Sequence, residues 1–143
     1  MAQQNREERV ARALEMHAAG FNCAQCVACA CADVVGLDKD EAFRLMEGFG
    51  GGMGGFTETC GAISGGVVLL GCASSGGLAN PHTKFDTYQL SQQLVGRFRA
   101  ANGSTLCPEL KGLAGGPILR SCDGCIEDGV RLVLDVLDSA PKR

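Results

Sequence analysis

Hydrophobic side chains along most of this chain recur three or four positions apart, which is the spacing of an amphipathic α-helix. In residues 4–19, for example, Val10, Leu14 and Ala18 share one helix face. No stretch is a convincing strand, because the best candidate, the apolar run 67–70, has neighbours that favour a helix. The pattern therefore predicts an all-α protein.

Capping and helix-ending residues divide the chain into successive helices. Asn22 suits the start of a helix that ends by Gly36, and Asp38 can cap the next helix before the glycine run 48–55 interrupts the chain. A helix is then predicted from Thr57 or Thr59 to Ala73, and another over residues 82–101. A short helical turn is predicted after Cys107-Pro108, and the last helix begins at residues 121–123. In the helix after Asp38, the side chains expected to face inward are Ala42, Leu45, Met46 and Phe49. The predicted architecture is a single domain over residues 1–143, a bundle of five to six helices around a central glycine-rich apolar helix.

Composition limits the classes of function. A length of 143 residues suits one domain whose core needs no disulfides, and a net charge of −3 leaves no basic surface for nucleic acid. The N-terminus lacks the apolar segment of a secretion signal, so we expect a cytoplasmic location with reduced thiols. Residues 60–80 carry no charge but too few strongly apolar side chains for a membrane span. A homodimer is reasonable because only 20% of the residues are charged and the central helix is apolar.

Nine cysteines make sulfur the main candidate for chemistry. Cys23 and Cys26 lie three positions apart on one helix face, and Cys23 falls in the first turn. Backbone N–H groups and the helix dipole favour a thiolate there. Cysteine also behaves as a small hydrophobic residue. We therefore interpret three other cysteines as packing residues, namely Cys29, Cys31 and Cys72.

Cys60 begins a second motif, Cys-Gly-Ala-Ile-Ser-Gly, at a predicted helix start after the glycine run. Each glycine inside a helix costs about 1 kcal/mol relative to alanine. Gly61, Gly65 and Gly66 therefore need a compensating reason, which is the close approach of another backbone or of a cofactor. Helix–helix packing alone is the alternative explanation.

The glycine run also contains the pattern G-x-G-x-x-G at Gly50, Gly52 and Gly55. The dinucleotide fingerprint requires a strand before it, whereas a helix is predicted here, so nucleotide binding is not expected. We expect instead that this loop, with Gly52, brings its backbone close to Cys60. Its N–H groups can then donate hydrogen bonds to sulfur.

The last cysteines stand at predicted junctions between loops and helices. Cys107 precedes a proline at a helix start, and Cys122 and Cys125 form a Cys-x-x-Cys pair before the final helix. That spacing is typical of metal-binding and redox sites. His17 and His82 are weak candidates for any site, because both positions suit ordinary surface or core residues.

Together these motifs resemble a bacterial and archaeal family of redox-active proteins. The family is named for a cysteine, a C-G-A-x-x-G motif and two further cysteines. The resemblance covers nearly the whole chain and rests on residues 21–25, 48–54, 60–65, Cys107 with 109–110, and Cys122. The family is in turn similar to the non-haem, cluster-bearing part of split-Soret cytochromes. The resemblance implies an iron–sulfur site held by Cys23, Cys60, Cys107 and Cys122, with Cys26 and Cys125 as reserves.

Three functions are consistent with this sequence. The first is electron transfer or redox sensing by an iron–sulfur cluster, most simply of the 2Fe-2S type, with a redox partner that the sequence does not name. The second is a metal-free thiol/disulfide protein in which Cys23 or Cys60 is a low-pKa thiolate and a second cysteine resolves it. The third is a binding module with a structural zinc or copper(I) site.

Overall fold

The computed structural model describes residues 3–141, and the ends of the predicted domain 1–143 lie outside the described residues. The described chain is helical and contains no strand, which confirms the predicted fold class. The run 67–70 lies within a helix. The helices are α1 (Gln3–Ala18), α2 (Cys23–Cys31), α3 (Lys39–Met46), α4 (Gly61–Ser74), α5 (Lys84–Asn102), α6 (Cys107–Leu110) and α7 (Cys122–Ser139).

The helices begin where local capping chemistry places them. The Asn22 side chain accepts a hydrogen bond from the Gln25 N–H, and the Gln25 side chain accepts one from the Asn22 N–H, so the two form a capping box at the start of α2. Asp38 caps α3 through its side chain, which accepts a hydrogen bond from the Glu41 N–H at 3.1 Å. The predicted helix 22–36 tightens into a 3₁₀ turn after Cys31, and Gly36 ends it with a φ of 71°.

Helix α4 packs against α2, α5 and α7. Its buried side chains Ile63, Leu69 and Leu70 belong to the main hydrophobic core. Gly65 allows α2 to come close, because a Cβ at this position would lie 2.5 Å from the Ala24 carbonyl oxygen. The glycines that weaken α4 as an isolated helix therefore permit close packing of the bundle.

Helix α3 is buried less completely than its pattern indicates. Ala42 and Met46 are fully buried, as predicted. Leu45 and Phe49, which were expected to face inward, are 57% and 38% exposed. Leu45 lies off the face of α3 that carries its buried residues Ala42 and Met46. Phe49 lies beyond α3, in a 3₁₀ turn over Glu47–Phe49 that changes the direction of the side chains. Within residues 3–141, no helix combines the length and the apolar character that crossing a bilayer requires.

Candidate cysteine site

One cavity gathers five of the nine cysteines. Its walls include Cys23, Cys60, Cys107, Cys122 and Cys125, and its volume is about 20 Å³. These residues come from four separate parts of the chain. The four ligand positions implied by the family resemblance thus meet at one place, together with one of the two reserve positions. We call this space the cysteine cavity.

Cys23 enters the cysteine cavity from the first position of α2. Its sulfur accepts hydrogen bonds from the backbone N–H groups of Gly51 and Ala24. The glycine loop thus donates to sulfur, but the sulfur is that of Cys23, whereas we expected Cys60. The reason is that the Asn22 cap holds the start of α2 against the loop, with its side-chain N–H donating to the Glu47 carbonyl at 2.9 Å.

Cys60 and Cys107 are held beside each other by backbone hydrogen bonds. The Cys60 N–H donates to the Thr105 carbonyl at 2.9 Å, and the Cys107 N–H donates to the Glu58 carbonyl at 2.8 Å. Cys60 directly precedes α4, and Cys107 is the first residue of α6. Two helix starts that are distant in sequence are therefore fixed side by side.

Cys122 and Cys125 share the first turn of α7. The turn is capped by Ser121, whose hydroxyl accepts a hydrogen bond from the Gly124 N–H at 3.0 Å. Cys122 is partly exposed, whereas Cys125 is buried and its thiol is hydrogen-bonded with that of Cys60. Both members of the Cys-x-x-Cys pair therefore reach the cysteine cavity.

Three of these thiols are held in the neutral form. Burial raises the pKa of Cys23 and that of Cys107. The hydrogen bond with Cys125, together with burial, raises the pKa of Cys60. The expectation that Cys23 or Cys60 is a low-pKa thiolate is therefore not supported, because desolvation outweighs the helix-terminal N–H groups that favour the charged form.

The other four cysteines lie away from the cysteine cavity. The reserve position Cys26 is fully buried, with its sulfur 3.8 Å from the Phe21 carbonyl oxygen, and burial raises its pKa to about 12. Cys29 and Cys31 are buried in the protein interior, in agreement with a packing role. Cys72 is exposed, so its interpretation as a packing residue is wrong.

Two glycines let the backbone approach the sulfur atoms. A Cβ at Gly61 would collide with the Cys23 sulfur and lie 3.3 Å from the Phe49 carbonyl oxygen. A Cβ at Gly52 would lie 2.8 Å from the Cys107 sulfur. Any side chain at either position would therefore displace a cavity cysteine.

Replacement of Gly52 by alanine is expected to destabilise the protein by about 2 kcal/mol more than replacement of Gly54. Both glycines have positive φ, 63° and 81°, so both substitutions carry backbone strain. Only at Gly52 does the new methyl group also meet Cys107, because nothing lies within 4 Å of a Cβ at Gly54. Urea unfolding of the two variants measures the difference, and equal losses would contradict the predicted contact.

The side chains that line the cysteine cavity are of the chemical type that binds soft metal ions. The walls of the cysteine cavity carry five thiols and neither carboxylate nor imidazole, which is the chemistry of iron–sulfur, zinc and copper(I) sites. Within residues 3–141, however, no three His, Cys, Asp or Glu side chains are arranged to hold a metal ion. The cavity has room for about one water-sized group. Binding of a metal centre therefore requires the thiols to reorient.

The two histidines take no part in the cysteine cavity. His17 lies on α1 with its Nδ1 atom 2.6 Å from an Asp123 carboxylate oxygen, so it links α1 to the first turn of α7. Neither His17 nor His82 is among the described residues that line the cavity. Thiols are therefore the ligand candidates that this site offers.

Comparison with protein families adds an independent result. A family model matches residues 21–136, which include every cavity cysteine, and it is described as "Putative redox-active protein (C_GCAxxG_C_C)". The chain belongs to this family. No match was found among curated proteins or among solved structures.

The letters G-C-A-x-x-G of the family's pattern occur literally at residues 71–76, and Cys60 begins the closely similar C-G-A-x-x-G. Cys72 is exposed, whereas Cys60 lies in the cysteine cavity with four other cysteines. Of these two positions, Cys60 is therefore the one that the structure places with the other cysteines.

Sequence reasoning missed two residues at the mouth of the site. Lys111 lines the cysteine cavity, its ammonium group is hydrogen-bonded to Cys122, and it lies 4.9 Å from the ring centroid of Phe56. Lys111 follows Cys107 by four positions, which is about one helical turn, and that spacing could have indicated it. No local signal in the sequence indicates Phe56.

Proposed function

We propose that this protein binds an iron–sulfur cluster, of the 2Fe-2S type, in the cysteine cavity and uses it for electron transfer or redox sensing. One observation carries the proposal: thiols from the starts of α2, α4, α6 and α7 line a single cavity. Four cysteine thiolates are the usual ligand set of such a cluster. Membership of a family described as redox-active supports the same class of function.

Backbone N–H groups around the thiols would stabilise the negative charge that the sulfur atoms carry when they bind a metal centre. Backbone N–H groups of Ala62 and Ile63 donate to Cys60, as those of the glycine loop and of α2 donate to Cys23. Hydrogen bonds to sulfur are one of the means by which a protein adjusts a reduction potential. Lys111 adds a positive charge at the same cavity.

When bound, the cluster supplies a centre that gains and loses one electron. The chain contributes the thiols, the N–H donors and the exclusion of water. Exposure of Cys60, Cys107 and Cys125 does not exceed 6%.

Anaerobic purification, followed by iron and acid-labile sulfide analysis and an absorption spectrum, tests the proposal. We expect a brown protein that contains iron and sulfide in equal amounts. A colourless protein that binds no iron after cluster reconstitution would overturn it. Zinc or copper without iron would instead identify a structural metal-binding module.

Thiol/disulfide exchange is a second candidate, favoured by the hydrogen bond between the Cys60 and Cys125 side chains. In this reaction the two thiols form one S–S bond and pass two electrons and two protons to a small disulfide, which is cleaved to two thiols. Thiol titration of the metal-free protein before and after treatment with oxidised glutathione measures the reaction. We expect a loss of two thiols per chain if this candidate is correct, and an unchanged count excludes it.

A further inference from the structure

Lys111 is the charged residue among the described walls of the cysteine cavity. Lys111 directly follows α6, the short helix that begins with Cys107. The two ends of this helix therefore both contribute a side chain to the cavity. Its ammonium group is hydrogen-bonded to the sulfur of Cys122, which with Cys23 is one of the two partly exposed thiols of the site. A positive charge therefore lies next to a thiol that solvent can reach.

The ring of Phe56 also contacts this lysine. The ammonium nitrogen lies 4.9 Å from the ring centroid, within the range of a cation–π contact. Phe56 has a φ of 65°, a conformation that side-chain-bearing residues rarely adopt, at the end of the glycine loop. The loop that donates an N–H to Cys23 thus also presents an aromatic face to Lys111.

The surroundings of Lys111 differ from those of an ordinary surface lysine. A lysine that merely covered apolar surface would extend its charged group into water. Here the charged group instead contacts both a sulfur atom and an aromatic ring.

We propose that Lys111, positioned by Phe56, supplies the positive charge that attracts anionic reactants to Cys122 and raises the reduction potential of the cysteine site. The attraction of anions is a property of the metal-free chain. The effect on the potential rests on the proposed function, because it requires a bound redox centre. Lys111 and Phe56 are positioning residues in this account, because they act through Cys122.

The first test compares the alkylation rates of Cys122 by anionic iodoacetate and neutral iodoacetamide in the reduced, metal-free protein. The ratio of the two rates reports the local charge, since exposure and thiolate fraction affect both reagents alike. We expect Lys111→Met to lower the ratio about fivefold, and Lys111→Arg to retain it. Peptide mass spectrometry resolves the cysteines, and exposed Cys72 is the internal control whose ratio stays constant.

Lys84→Met is the matched control, because Lys84 also lies over an aromatic ring, 5.4 Å from the centroid of Phe85, on an exposed part of α5. It should leave the Cys122 ratio unchanged. An equal fall in both methionine variants, or no fall in either, would overturn the proposal. Phe56→Leu should lower the ratio and Phe56→Tyr should retain it, whereas an unchanged ratio in Phe56→Leu would refute the positioning role.

The second test measures the reduction potential of the cluster-loaded protein. We expect Lys111→Met to make reduction about tenfold less favourable, which is about 59 mV for a one-electron couple, and Lys84→Met to have no such effect. A fall in the alkylation ratio in a protein that binds no cluster would support the charge at Cys122 and reject the iron–sulfur function. Unchanged potential in a cluster-loaded Lys111→Met variant would reject the effect on the potential.

Discussion

Cys60→Ser is expected to lower the iron and sulfide content of the reconstituted protein by at least about tenfold while the helical fold persists. Serine offers a hard oxygen that stays protonated at neutral pH, whereas cluster iron is bound by thiolate. Its hydroxyl can retain a hydrogen bond with Cys125, so the interior loses little packing. The same result is expected for Cys23→Ser and Cys107→Ser, because both thiols line the same cavity. Iron and sulfide assays, with a circular dichroism spectrum for the fold, measure the effect.

The serine series also decides between the two cysteines of α7. If Cys122 is the fourth ligand, as the family resemblance implies, Cys122→Ser loses the cluster and Cys125→Ser keeps it. The reverse result would assign Cys125. Cys72→Ser is the matched control, because Cys72 is exposed and outside the cavity. Retention of full iron and sulfide content in Cys60→Ser, or equal loss in Cys72→Ser, would contradict the proposed ligand set.

Gly65→Ala is expected to lower the free energy of unfolding by about 3 kcal/mol. The new methyl carbon would lie 2.5 Å from the Ala24 carbonyl oxygen and 3.3 Å from its Cα atom. These are backbone atoms of α2, so no side-chain rotation relieves the contact and the two helices have to separate. Because α2 carries Cys23 and α4 follows Cys60, the separation also disturbs the cysteine cavity. Urea or thermal unfolding measures the loss.

Gly71→Ala on the same helix is the matched control. Nothing lies within 4 Å of a Cβ at Gly71, so alanine there contributes only its higher helix propensity. We expect this variant to be more stable than the parent protein by about 1 kcal/mol. Similar stability changes for the two variants would mean that the glycines of α4 are not explained by the approach of α2.

Much of the fold follows from local chemistry that the sequence displays. Asn22, Asp38 and Ser121 cap helices because their side chains can accept backbone N–H hydrogen bonds within the first turn. The position of Cys23 at a helix start follows from the same reasoning, because it directly follows Asn22, whereas Cys60 precedes a helix that has no side-chain cap and whose start is indicated by the glycine run before it. Such interactions span three or four residues, so they can be inferred without knowledge of the tertiary structure.

The membership of the cysteine cavity could not be inferred in this way. Cys26 follows Cys23 by three positions, and Cys125 follows Cys122 by the same number, yet Cys125 lines the cavity and Cys26 does not. The spacing shows that each pair shares a helix face. It does not show which way that face is turned, since the rotation of a helix is set by the helices packed against it.

The sequence by itself thus determined an all-helical chain, its caps and the cysteines at helix starts, because these depend on neighbouring residues. Only the tertiary structure decided that Cys125 joins the cysteine cavity, that Cys72 is exposed, and that Lys111 and Phe56 meet at the cavity mouth. Each of these features depends on how segments that are distant in the chain pack, or do not pack, against one another. They arise from packing of whole helices, and no short pattern of residues encodes how two helices are oriented.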